Sequence, residues 1–146
     1  MVYIAPTRDL LIQSYDLILE IVKSNENLSK IQVTALYGGT PIELSRSLMS
    51  KEVDILLATP GRLRHAATRL GLVTFEDVHI LVLDKMQVLA ARNFQRQLAP
   101  VTSKMKAQSK QPFITISFGT SYTAYVRKQR SNSVTIAPKR LKSLEN

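Results

Sequence analysis

Short apolar runs along this chain alternate with longer stretches in which apolar residues recur at helical spacing. Residues 2–5 (VYIA) are of strand length and are broken by Pro6-Thr7. Between Asp9 and Lys23, Leu11, Tyr15, Ile18 and Val22 recur every three or four positions, and Leu10, Leu17 and Ile21 widen the stripe, which predicts an amphipathic helix. Residues 24–30 read as a polar turn, and residues 31–37 as a β-rich run ending at Gly38-Gly39. Pro41, at a first helical position, opens a short helix through Leu48, and residues 53–58 form the next strand. Thr59-Pro60-Gly61 then turns the chain into a helix bearing Arg62, Arg64 and Arg69. Residues 78–83 are almost continuously apolar and stop at Asp84, the form of a central parallel strand with a carboxylate at its end. A helix over residues 88–105 with a break near Pro100, a loop over 106–111, a strand over 113–118, a helix over 121–130 and a strand over 134–137 complete the pattern.

Strands alternating with helices predict an α/β domain with a mainly parallel sheet. Ligands of such sheets bind beyond the strand C-termini. Thr7-Arg8, Gly38-Gly39, Thr59 to Arg62, Asp84 and Gly119-Thr120 all fall there. The 146 residues, 45% of them hydrophobic, suffice for one domain. The lack of cysteine excludes disulfides, thiolate metal sites and cysteine nucleophiles. No apolar run reaches bilayer-spanning length and the start does not read as a signal peptide, so the expectation is a soluble intracellular protein, cytoplasmic or nuclear, without a membrane partner.

The formal charge of +9 is uneven: residues 101–146 hold 9 Lys/Arg against Glu145 alone. Lys104, Lys106, Lys110, Arg127, Lys128, Arg130, Lys139, Arg140 and Lys142 form either a face that attracts a polyanion or a solvated surface with a basic tail.

Thr59-Pro60-Gly61-Arg62 is the sharpest local signal. A strand running through proline and glycine into a helix leaves free N–H groups, and Arg62 adds a guanidinium able to grip a phosphate, which is chemistry for a nucleic-acid backbone. An ordinary strand-to-helix turn accounts for the same residues. Pro6-Thr7-Arg8 repeats the device and Gly38-Gly39 would admit a close backbone, although a helix cap and a flexible turn also fit. Asp84 stands where a nucleotide-binding domain holds magnesium, or where a helix is capped. Lys85 beside it cannot accept a proton and would repel a metal ion. His65 and His79 lack ligand spacing and read as structural; Tyr122 and Tyr125 read as helix packing rather than as a stacking platform.

Ala5-Pro6-Thr7-Arg8-Asp9-Leu10, Gly38-Gly39 and Ala58-Thr59-Pro60-Gly61-Arg62-Leu63 resemble, in order and spacing, the RNA-contacting motifs of the first RecA-like domain of DEAD-box RNA helicases. Leu81-Val82-Leu83-Asp84 resembles the strand leading to the motif that names the family, and Phe118-Gly119-Thr120 stands at its Ser-Ala-Thr segment. The resemblance implies that Thr7, Arg8, Gly39, Thr59, Gly61 and Arg62, with the adjoining Pro6, Gly38 and Pro60, face single-stranded RNA. It makes Asp84 a magnesium-side carboxylate and Thr120 a residue coupling nucleotide state to RNA. Residues 1–138 are then a partial first RecA-like helicase domain and residues 139–146 a basic tail.

Departures cluster on the nucleotide side. The family's Asp-Glu-Ala-Asp is here Asp84-Lys85-Met86-Gln87, Phe118 replaces the coupling serine and Asp9 a usual glutamate. The glycine-rich phosphate loop and the adenine-reading segment would precede residue 1, and the loop's strand would lie beside the strand over residues 113–118. Without it, unpaired backbone and apolar side chains should be exposed there. The sheet rearranges, or a partner or second copy fills the gap through the incomplete sheet, or the chain is a piece of a longer protein, the favoured reading.

The leading expectation is a catalytically inactive helicase-like module that binds the backbone of single-stranded RNA or acts as a scaffold in a ribonucleoprotein. No residue is assigned a catalytic or metal-ligating role. Asp84, Lys85, Gly119 and Thr120 are a vestigial nucleotide side, and no cofactor is expected for this chain alone. The first alternative is a fragment of an ATP-dependent RNA helicase, which would use ATP, magnesium and a second RecA-like domain. The other is a protein-interaction domain without RNA affinity.

Overall fold

The computed structural model describes residues 1–120 and the strand Ser133–Ile136. The chain runs β1 (Val2–Ile4), α1 (Arg8–Ser24), a short 3-10 turn (Glu26–Leu28), β2 (Val33–Leu36), α2 (Ile42–Met49), β3 (Ile55–Ala58), α3 (Pro60–Arg64), a π-helical turn (His65–Arg69), β4 (Ile80–Leu83), α4 (Met86–Leu89), α5 (Arg92–Gln108), β5 (Ile114–Phe118) and β6 (Ser133–Ile136). All five strand pairings are parallel, in the order β2-β3-β1-β4-β5-β6. The sites at the C-terminal ends of β1, β2, β3, β4 and β5 therefore lie on one edge, as the alternating pattern predicts.

The main core lies between the sheet and the helices α3 and α5. Val2, Ile4, Leu36, Leu56, Ala58, Leu81 and Leu83 meet Leu63, Leu98, Val101 and Met105 there, and Phe75 from the preceding loop is fully enclosed. A smaller cluster on the opposite face gathers Ala5, Leu11 and Leu57 with Tyr3, Leu10, Tyr15 and Ile18. The stripe predicted for α1 is narrower than its sequence: Leu17 and Ile21 are 58% and 50% exposed. At 100° per residue these two lie roughly 80–120° around the helix from the Leu11–Val22 line, beyond the reach of the sheet.

Two helix boundaries differ from expectation. Pro41 is extended (φ −54°, ψ 145°) and caps α2, so the helix begins at Ile42. Pro100 does not break α5, which runs to Gln108 and takes in residues 106–108; the interruption falls at Ala90-Ala91 instead. Pro100 is exposed, so the carbonyl it leaves without a donor one turn earlier is open to water. The predicted helix over residues 121–130, with Tyr122 and Tyr125, and the tail over 139–146 lie outside the described residues.

β5 is paired on both sides, with β4 and with β6. The place that the resemblance gives to the phosphate-loop strand is thus taken by β6, and the expected gap in the backbone ladder is closed. Self-association at that position would find no open β5 edge. The side-chain half of the expectation stands: Ile114 and Phe118 remain 50% and 37% exposed on the α1 face, while Thr115 and Ser117 are buried on the other.

A groove of backbone turns and a filled strand end

Three strand-to-helix turns converge on one cavity of about 470 Å³, lined by Pro6, Arg8, Gly38, Thr59, Pro60, Gly61 and Arg62. Seven residues chosen from separate sequence segments are thereby one site. Thr7 and Gly39 do not line it. Thr7 Oγ1 accepts from the Leu10 N–H at 3.4 Å and caps α1, so the cap reading is realised. Gly39 adopts φ +87°, a conformation that glycine takes without steric penalty.

Arg8 is exposed, with its guanidinium carbon 4.9 Å from the centre of the Tyr37 ring. The stacked ring orients the cation without neutralising it. Arg62 is differently placed. Its Nη2 donates to the Ser45 hydroxyl at 2.7 Å and to the carbonyls of Thr40 and Pro41, and its buried Nε has no partner. One terminal nitrogen of the guanidinium that the sequence aims at a phosphate thus ties Thr40, Pro41 and Ser45 of α2 to α3.

Three further residues line the cavity: His65, Phe94 and Gln97. His65, read from the sequence as structural, opens the π-helical turn at the groove wall. Phe94 and Gln97 come from α5, more than thirty residues along the chain, and carry no motif that would have marked them. The Gln97 carboxamide lies against Gly61, where a Cβ would come within 3.0 Å of its oxygen.

At the end of β4, the carboxylate of the half-buried Asp84 is bonded within its own chain. Its Oδ2 accepts from the Tyr3 phenol at 2.8 Å and its Oδ1 from the Lys85 N–H at 2.8 Å. Burial, reinforced by the bond and charge of Asp84 and opposed by Ser14, pushes the Tyr3 phenol up to about 12. Lys85 is left-handed (φ 51°) and exposed. Gln87 accepts from the Thr120 N–H at 3.3 Å. Gly119 packs so closely that a Cβ would meet Gln87 at 2.9 Å and Met86 at 3.2 Å. Met86 and Gln87 thereby lie directly against the Gly119-Thr120 turn.

These residues fit a magnesium ion poorly: each Asp84 oxygen already accepts from a neutral donor, and the adjoining side chain is cationic. Of the basic residues in the last third, Lys104 donates to the Ala67 carbonyl and Lys110 pairs with Glu76 at 3.0 Å and Asp77 at 3.4 Å, so both act locally. Arg127, Lys128, Arg130, Lys139, Arg140 and Lys142 lie outside the described residues. No helix among the described residues is long and apolar enough to cross a membrane.

A parallel sheet flanked by helices, with its turns gathered beyond the strand C-termini, defines a RecA-like domain of the P-loop NTPase type. The chain belongs to the DEAD/DEAH box helicase family, whose model matches residues 1–128. It is 32% identical over 105 residues to the mitochondrial ATP-dependent RNA helicase MSS116 of Kluyveromyces lactis, covering 71% of this chain and 15% of that protein. It is 31% identical over 134 residues to the ATP-dependent RNA helicase dbp3 of Emericella nidulans, covering 92% of this chain and 26% of that one. A solved structure of Mss116p bound to ssRNA and AMP-PNP superposes with a TM-score of 0.78 at 26% identity, over 93% of this chain and 29% of that one. The chain thus spans 15% and 26% of the lengths of these two relatives.

Proposed function

We propose that this chain is the RNA-facing part of the first RecA-like domain of an ATP-dependent RNA helicase, and that single-stranded RNA lies across the groove by its sugar-phosphate backbone. The convergence of Pro6, Arg8, Gly38 and Thr59 to Arg62 on one cavity carries this reading. It is supported by relatives that are RNA helicases and by the ssRNA in the Mss116p structure. The short match to each relative favours a piece of a longer helicase over a self-standing module, the reverse of the order expected from the sequence. A second RecA-like domain would close over the strand. Alone, this half should bind weakly, with strong salt dependence and little sequence preference.

Fluorescence anisotropy of a labelled single-stranded RNA at two salt concentrations tests it. Binding at low salt that weakens with Arg8→Ala is expected; affinity unchanged by that substitution, or absent at low salt, rejects the groove as the site.

The Asp84 end supports a second reading, in which RNA binding persists without ATP turnover. Lys85 stands where the hydrolytic glutamate would orient water, and a lysine cannot take that proton. RNA-stimulated phosphate release by the longest form of the protein, measured with and without Lys85→Glu, separates the two. Turnover that already exists with Lys85 rejects the inactive reading.

A further inference from the structure

The two oxygens of Asp84 are occupied in a way that gives the residue another task. Tyr3 reaches across from β1, in register with Val82, to donate to Oδ2, and its oxygen lies 2.9 Å from the Ser14 hydroxyl of α1. Ser14 in turn donates to the Leu10 carbonyl at 3.0 Å. Two hydroxyl protons therefore serve three contacts, and the Ser14 proton is shared between Leu10 and Tyr3 while the Tyr3 proton goes to Asp84. The Asp84 N–H donates to the Ile4 carbonyl at 2.9 Å, which locks the carboxylate's backbone to the same strand. Lys85 turns left-handed, and its N–H meets Oδ1.

We infer that Asp84 is a positioning residue, the acceptor that closes a hydrogen-bonded relay from β4 through Tyr3 and Ser14 to the first turns of α1, and not a ligand for a metal ion. Two donors, the Tyr3 hydroxyl and the Lys85 N–H, use the carboxylate as their acceptor, one on each oxygen. A half-buried phenol is also a stable partner only while an acceptor is present, because a hydroxyl withdrawn from water without one is costly. The relay ends on the turn that presents Arg8, so a residue expected to serve the nucleotide instead braces the segment beside the groove.

Amide hydrogen exchange on the full chain, with and without magnesium chloride plus ATP, tests this through Tyr3→Phe, Asp84→Ala, Asp84→Asn and the Tyr3→Phe/Asp84→Ala pair. The amides of Leu11 to Ser14 should exchange about fivefold faster in Tyr3→Phe and in Asp84→Ala, with the pair no faster than either single change. Asp84→Asn, which retains an acceptor oxygen for Tyr3 but is a poor ligand for a hard cation, should stay within about twofold of the parent. Magnesium and ATP should leave the pattern unchanged in parent and variants alike. Unaltered exchange in both Tyr3→Phe and Asp84→Ala overturns the relay, as does magnesium-dependent protection of the parent that Asp84→Asn abolishes.

Discussion

The groove built on β1, β2 and β3 and the strand ends of β4 and β5 share one edge of the sheet, yet they are finished in opposite ways. Around the groove, space is left: nothing lies within 4 Å of where a Gly38 Cβ would stand, and Arg8 is exposed with only a ring beneath it. At the other end, the chain fills its own space, with Tyr3 on Asp84 and Gln87 on Thr120. Polar groups left open can be taken by a ligand, whereas polar groups already paired internally resist exchange, because a buried partner would be orphaned. Under the function proposed above, the first is the surface for binding and the second belongs to the framework.

The largest effect expected from breaking this contrast is at Arg62, which belongs to the groove by position and to the framework by its bonds. Arg62→Met should destabilise the fold by about 2 kcal/mol in urea unfolding, since it orphans the Ser45, Thr40 and Pro41 acceptors. Arg62→Lys should recover only part of this. Arg8→Ala should do the converse, weakening RNA binding about tenfold and lowering the salt slope by roughly 0.7, while unfolding shifts by less than about 0.5 kcal/mol. Equal effects of Arg8 and Arg62 on both measurements would erase the distinction between them.

Backbone strain sharpens the comparison with smaller effects. Gly39→Ala, at φ +87°, should cost about 1 kcal/mol in stability. Lys85→Gly, at φ 51°, should stabilise by about 0.5 kcal/mol, since left-handed strain is relieved against a lesser loss of chain entropy. The last test concerns alkaline pH. The Tyr3 phenol, raised in the fold to about 12 from an ordinary value of 10, contributes stability that is complete below pH 10 and is lost as pH climbs through about 12. The difference in stability between parent and Tyr3→Phe, followed by denaturant melts across that range, should shrink with rising pH; a constant difference would remove Tyr3 from the titrating set.

Much of this was legible in the residues themselves. Apolar runs of strand length and a repeat near 3.6 are local signals, so β1, β3, β4 and the α1 segment were readable, as was the parallel α/β class. Proline and glycine at strand ends marked the three turns of the groove because their backbone chemistry is intrinsic. The family motifs carried the rest of the candidate site, down to the altered Asp84-Lys85-Met86-Gln87.

Partnership between distant segments was decided only by the tertiary structure. Gln97 and Phe94 join the groove because α5 packs along α3, and no local pattern encodes that approach. Leu17 and Ile21 look like core in a helical repeat but face outward, because a sheet can cover only one side of α1. Pro100 stays inside α5 because the carbonyl it leaves without a donor, one turn earlier, is on the exposed side, and β6 closes the ladder beside β5. Above all, a sequence states which residues can bond, whereas folding determines which of them already have: Arg62 and Asp84 were identified by type, and their commitments to Ser45 and Tyr3 became visible only when strands and helices far apart in the chain were brought within 3 Å.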